Sequence, residues 1–390
     1  MSAEGRLDIR VLRSKGRATR AEIRSSRPLS LAGVFIGRPA ADAVRLLPQL
    51  YSVCAIAQGA AAATACEQAA GIDTASATTL ARQLLVDAET WREHLLRILR
   101  DWQPDTAGIS TRLPAVMRPV PELLARLSRQ DSPLTLGADS ALDPVELLTV
   151  VETMEALSGD MVFGEPPERF LARESLADLE TWCLAGATPA AQALGDILAQ
   201  GWQSAGNGRT SFLPAIPDEE LLARLLADDS LPFAAKPAWQ GLPRETTPYS
   251  RQAERPLVRA LAAHCGNGLV TRMTALLVEV ATLPVGMRAM LESSRRTTRA
   301  YRSQVPDGCG VAQIEAARGR LAHAVEIVDG TVTRYGILAP TEWNFHADGT
   351  AARALENLNA AEAEGLTRQA DLLIHAIDPC VGYRLEWSDA

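Results

Sequence analysis

Asp378-Pro379-Cys380-Val381-Gly382-Tyr383-Arg384-Leu385-Glu386 places a single thiol directly after a proline, close to the last residue, Ala390. Cys380 has no Cys-x-x-Cys partner. The other five cysteines, at 54, 66, 183, 265 and 309, are scattered, with no short paired spacing. In a chain of 390 residues that pattern is not a disulfide framework, and a reducing compartment is expected. Five histidines with no close His/Cys cluster give no structural zinc spacing.

Hydrophobic residues at 47% and charged residues at 22% are ordinary globular values, and the length permits a sizeable core. The net charge of −8 disfavours nucleic acid and anionic membrane as partners, since both attract basic surfaces. The N-terminus lacks the apolar core of a signal peptide, and no run of residues reads as a membrane span. The expected location is the cytoplasm.

Outward from Cys380, Leu7–Leu12 alternates and reads as a half-buried strand, with Ala21–Arg24 as its partner. Residues 40–70 turn helical and alanine-rich, which predicts close approach of another element. A second helix is predicted over 78–102, stopping at Pro104. Between 105 and 245, helical patterns at 120–129, 144–157, 174–185 and 218–226 are separated by Pro/Gly/Asp loops. Helix resumes over 255–291 with a break expected near Pro284-Val285-Gly286, and a last helix is predicted over 351–375. Asp329-Gly330 between two β-prone runs predicts a tight hairpin, because both residues tolerate positive φ. The expected fold is mainly α (α+β), multihelical, with a small antiparallel sheet and hairpin formed by the N- and C-terminal segments.

Six segments, in order, resemble the nickel–iron hydrogenase large-subunit family. Glu4-Gly5-Arg6-Leu7-Asp8-Ile9 looks like its Glu-Gly-His-Leu-x-Ile strand. Gly37–Ala43 followed by Tyr51-Ser52-Val53-Cys54 through Gln58 falls where the family has Arg-x-Cys-Gly-x-Cys-x-x-x-His. Glu93-His94-Leu95 with Asp101-Trp102, and Glu254–Arg259, are similar to further family segments. Glu315-Ala316-Ala317-Arg318-Gly319 through His323, continuing to Pro340-Thr341-Glu342-Trp343-Asn344, is the longest match. The sixth is Asp378-Pro379-Cys380, where the family closes with Asp-Pro-Cys-x-x-Cys-x-x-His. The resemblance implies one large-subunit-like domain over 1–390, with 105–245 as a divergent helical insert.

The departures from the family matter more for function. Its four nickel-binding thiolates are reduced here to Cys54 and Cys380, with Tyr51 and Tyr383 in place of the other two and Gln58 and Glu386 in place of histidines. No nickel and no hydrogen cleavage are therefore expected. Two soft thiolates still suit an iron already carrying cyanides and carbon monoxide. The resemblance implies that Arg318 approaches a cyanide nitrogen and that Asp378 orients the arginine. Glu4, Tyr51, Gln58 and Tyr383 are expected to surround the ligands. His94 and His323 read as packing residues, Cys66, Cys183 and Cys265 as core, and Cys309 as either core or a reactive thiol.

Family precursors also carry a cleavable C-terminal extension. The chain stops four residues past Glu386, and nothing is expected to be removed. Together these features resemble the HupK/HoxV expression and formation proteins of hydrogenase operons. The implied role is a non-catalytic scaffold for the iron dicyanide carbonyl fragment. Its implied partners are a small chaperone, the iron-fragment assembly proteins and the large-subunit precursor. The alternatives are a metal-free chaperone that protects a hydrogenase subunit and a degenerate hydrogenase or hydrogen sensor.

Overall fold

The computed structural model describes residues 5–103, 109–129, 131–186, 188–293 and 305–389. Among them, strands β1 (Leu7–Ser14), β2 (Arg17–Ser25), β3 (Cys309–Ala316), β4 (Gly319–Val328), β5 (Thr331–Leu338) and β6 (Tyr383–Asp389) form two three-stranded sheets. Leu7, Ile9 and Val11 alternate inward along β1 and are fully buried, which is what the period-two pattern predicts.

The two ends of the chain do meet in one sheet, of order β2-β1-β6. Its β1–β2 pairing is antiparallel, whereas β6 joins parallel, with Leu7 opposite Tyr383. A parallel pair between distant segments carries no turn signal, so its direction is absent from local sequence. The expected hairpin belongs to the second sheet, antiparallel β3-β4-β5. Asp329 and Gly330 take φ of 49° and 74° between the paired residues Val328 and Thr331.

The alanine-rich stretch is two helices, α1 (Ala40–Leu50) and α2 (Ala55–Ala69), separated by a 3₁₀ turn at Ser52–Cys54. Its small side chains do admit a close neighbour. A Cβ on Gly310 of β3 would stand 1.9 Å from the Ala65 carbonyl oxygen of α2, so only glycine fits there. Helix α3 (Ser76–Asp101) packs on α2 and supplies buried charged residues to the site; Pro104 lies outside the described residues.

In the Pro-punctuated region the expected helices are Pro119–Leu127, Pro144–Ser158, Leu176–Ala185 and Asp218–Leu225, and the described residues add Ile109–Met117, Pro167–Leu171, Pro189–Ala199 and Ser230–Ala235. Leu147, Val150 and Met154 share one hydrophobic core with α2 and the long helix Leu269–Ser293. That long helix runs through Pro284, and the break falls instead at Gly266–Gly268, after Pro256–Cys265. Gly266 sits at φ 66°, and a Cβ on Gly268 would lie 2.6 Å from the Gln203 carbonyl. Burial of Pro284 on one helix face with Ala281, Met287 and Leu291 outweighs the one lost backbone hydrogen bond.

The last predicted helix is also divided, into Thr350–Leu355 and Ala363–Ile377. The connecting loop docks on the β1–β2 turn, where the Ala360 amide donates to the Gly16 carbonyl at 3.1 Å.

Candidate metal-fragment site

Cys54 ends the 3₁₀ turn with φ −134° and ψ 41°, and its side chain makes no capping bond to α2. The cap comes from α3. The Glu89 carboxylate accepts from the Ile56 and Ala57 amides, each at 2.9 Å. Two orphan donors of the helix are thereby satisfied by a side chain other than the cysteine, and the thiol is left for the cavity beside it. Burial, and then the Cys380 and Glu89 charges, push the Cys54 thiol well above its ordinary value. Burial likewise holds the Glu89 carboxyl up at about 7.

Gln58 lies one helical turn further on and is fully buried, with Nε2 donating to the Cys54 sulfur at 3.7 Å. In that orientation its Oε1 accepts from His323 Nε2 at 2.9 Å, which leaves His323 Nδ1 to accept from the Tyr335 hydroxyl at 3.0 Å. Burial lowers His323 to about 3, so this imidazole is neutral. His323 is thus a hydrogen-bonded packing residue, and it orients the amide that meets Cys54.

Cys380 stands between the C-terminal helix and β6. Its sulfur accepts from the Thr341 hydroxyl at 3.0 Å, and its own amide donates to the same oxygen at 3.1 Å. A second donor to the sulfur is Arg27 Nη1. Arg27 also meets Glu342, Nε to Oε1 at 2.8 Å, and both side chains are less than a tenth exposed. Cys54 and Cys380 line one cavity of about 30 Å³ together with Arg27, Leu29, Tyr51 and Glu342. That volume holds roughly one or two waters. An iron bearing three diatomic ligands is larger and enters only if the lining moves. Burial raises the Tyr51 phenol to about 12, so it faces the cavity protonated.

Arg318 is 6% exposed, and its charge reaches both sulfurs. Nη2 donates to Glu93 Oε2 at 3.2 Å, and Nε lies 3.2 Å from Asp378 Oδ2 in a charge contact too poorly aligned for a hydrogen bond. Nη1 has no hydrogen-bond partner. A buried guanidinium donor left unmet is costly unless something accepts from it, and a cyanide nitrogen is a suitable acceptor.

Asp378, in the left-handed region at φ 60°, ends the helix Ala363–Ile377 and is itself buried. Burial alone would raise its carboxyl, but Arg318 and Arg97 hold it below the ordinary value. Arg97 bonds Asp378 directly and Asp101 at 2.7 Å. A fixed carboxylate thus lies behind Arg318.

Of the remaining expected residues, Tyr383 departs from the site. Its hydroxyl donates to Asp371 at 2.9 Å and meets His375 Nε2 at 2.9 Å, both on the C-terminal helix, because its position in β6 turns it there. Glu386 pairs with Arg384 on the charged face of the same sheet. Glu4 lies outside the described residues. Cys66 and Cys265 are buried, and Cys309 is half-buried at the start of β3 with its thiol pushed up by burial, a poor nucleophile. His94 donates from Nε2 to Glu279 at 2.8 Å inside the core, as a packing residue does.

Sequence reasoning missed Arg27, Glu89, Glu93 and the pair Thr341-Glu342. Thr341 and Glu342 stood inside a quoted motif, and Glu93 inside another. Arg27 had no signal beyond the proline after it. Among the described residues no three His, Cys, Asp or Glu side chains converge as a metal site, and the sulfurs that line the cavity are those of Cys54 and Cys380.

The family model described as nickel-dependent hydrogenase matches residues 249–383. The chain is 32% identical to the hydrogenase expression/formation protein HupK of Bradyrhizobium diazoefficiens, over 94% of this chain and 91% of that protein. It is 31% identical to the hydrogenase expression/formation protein HoxV of Cupriavidus necator, over 94% and 93%. Among solved structures, the Ni-Fe-Se hydrogenase of D. vulgaris Hildenborough superposes with a TM-score of 0.67 over 97% of both chains, at 16% identity. That likeness establishes the multihelical hydrogenase fold with its small sheets. The chain belongs to the family of hydrogenase expression/formation proteins that includes HupK and HoxV.

Proposed function

We propose that this protein takes part in hydrogenase maturation as a non-catalytic carrier, receiving an iron dicyanide carbonyl fragment on Cys54 and Cys380 and passing it to the large-subunit precursor. The coarse role rests on its relatives, which are named hydrogenase expression/formation proteins. One observation carries the finer one. Two thiols line a single cavity, within reach of the charge of the buried Arg318, whose Nη1 has no hydrogen-bond partner. Thiolates are soft ligands for low-spin iron, and guanidinium donors suit cyanide nitrogens. Two sulfurs fall short of the four that the family uses for nickel, so the cargo is iron alone. A small chaperone and the iron-fragment assembly proteins are the proposed donors of the fragment. The proposed compartment is the cytoplasm.

The test is infrared spectroscopy on protein purified without oxygen from a host with the maturation machinery. Cyanide and carbonyl bands are expected in the wild type and absent in Cys54→Ala and Cys380→Ala. A wild-type protein with no bands and no iron, together with cysteine variants that still support maturation, sinks the carrier reading. The outcome would then favour a metal-free chaperone holding a hydrogenase subunit. The small cavity is the feature that favours this second reading.

A further inference from the structure

The side chain nearest Cys380 is a cation held from two directions. Arg27 leaves the end of β2, and its amide donates to the Ser25 hydroxyl at 3.2 Å. Pro28 after it restricts the backbone to an extended form. At its tip Nε is fixed on Glu342 at 2.8 Å and Nη1 on the Cys380 sulfur. Glu342 is fixed in turn, because its second oxygen accepts from the Ala339 amide at 2.9 Å, at the start of the helix Pro340–Asn344. The same helical turn supplies Thr341, the other donor to the sulfur. A permanent positive charge, almost closed to solvent, therefore stands inside the cavity that the two thiols share.

That charge treats two kinds of metal species differently. A bare divalent cation approaching Cys380 must compete with a guanidinium already bonded to the sulfur, at short range in a poorly solvated space. It also brings no acceptor for the displaced N–H groups, which then remain buried and unmet. An iron carrying cyanides has its cation charge balanced by its own ligands. Its cyanide nitrogens accept from the guanidinium that the sulfur releases.

We infer that Arg27 is a selectivity residue that keeps bare divalent cations, nickel and zinc among them, off the Cys54–Cys380 pair while admitting cyanide-bearing iron. This deepens the carrier reading and rests on it for the identity of the two ligands. Its test needs neither cargo nor partner.

Reduced, metal-free full-length protein is titrated with Co²⁺, followed by thiolate–cobalt charge-transfer absorption and equilibrium dialysis. Wild type is expected to show no such band at stoichiometric metal. Arg27→Gln is expected to bind Co²⁺ at least about tenfold more tightly. Its band should vanish in the Arg27→Gln/Cys380→Ala double variant. Arg27→Lys, which keeps the charge, is expected to behave as wild type. Circular dichroism confirms that each variant is folded.

Equal affinity of wild type and Arg27→Gln overturns the inference, as does a band that survives loss of Cys380. So does a wild type that binds stoichiometric Co²⁺ through its thiols, which decides the matter even if Arg27→Gln does not fold. Infrared bands on wild-type protein test the carrier reading separately, so failure of one leaves the other standing.

Discussion

The two sulfurs share a cavity but not an environment. Cys380 receives two donors, the cation Arg27 and the Thr341 hydroxyl, and the latter also accepts from the Cys380 backbone amide. Cys54 has one neutral donor, the Gln58 amide at 3.7 Å, at the end of a chain through His323 to Tyr335. Burial and neighbouring negative charge keep it a thiol. The Cys380 end therefore presents a cation already paired with Glu342, while the Cys54 end presents a neutral thiol to a neutral amide. Arg318, like Arg27, has a charge that reaches both sulfurs, and it also holds Asp378 and Glu93.

Removing that shared cation gives the largest expected effect. Arg318→Met leaves Asp378 and Glu93 short of a buried partner, and destabilisation of about 3–5 kcal/mol is expected in urea unfolding. A loss below 1 kcal/mol would show that Arg97 alone balances Asp378 and that the ends are independent.

Next comes the neutral relay at the Cys54 end. His323 is held at about 3 when folded and returns to about 6.5 when unfolded. The unfolded state therefore binds the extra proton, and this residue's contribution is lost as pH falls from about 6.5 towards 3. At most roughly 1.4 kcal/mol is lost per pH unit in that window. His323→Gln is expected to flatten that part of the stability–pH curve, and an unchanged slope would mean that the folded ring can take up the proton.

At the Cys380 end, Thr341→Val deletes one donor to the sulfur and the acceptor of the Cys380 amide. A loss of about 1–3 kcal/mol is expected by calorimetry, because the amide is left unmet. The infrared bands of the cargo should shift, whereas unchanged bands would place the iron on Cys54 alone.

The smallest effect belongs to Tyr383→Phe, which breaks bonds to Asp371 and His375 outside the cavity. About 1 kcal/mol of stability is expected to go, with cargo binding intact. Loss of iron in this variant would return Tyr383 to the site.

What the sequence displayed about this site tracks how local each signal is. Cys380 sits in a contiguous motif, as do Arg318 and Asp329-Gly330, and all three were readable. Cys54 was readable too, although the break that exposes it was not, since Glu89 makes that cap from another helix. Tyr383 was aligned to a ligand position, yet the pairing of β6 with β1 turns it to the C-terminal helix. Pro284 reads as a helix breaker, and core burial overrules it. Arg27 was the hardest to find. It is 353 residues from the sulfur it bonds, in a loop without periodicity, and only the three-dimensional meeting of the two ends assigns it a role.

That meeting has a consequence in time. Arg27 hangs two residues beyond β2, Cys380 three residues before β6, and β1 lies between those strands. A ribosome making this chain from its N-terminus delivers Arg27 and Cys54 long before Cys380. Until β6 zips onto β1, Arg27 and Cys380 are not held together, and the nascent chain has only half of the cavity lining. The two sulfurs therefore come to line one cavity only with the closing strand, so a chain stalled before it would lack that cavity.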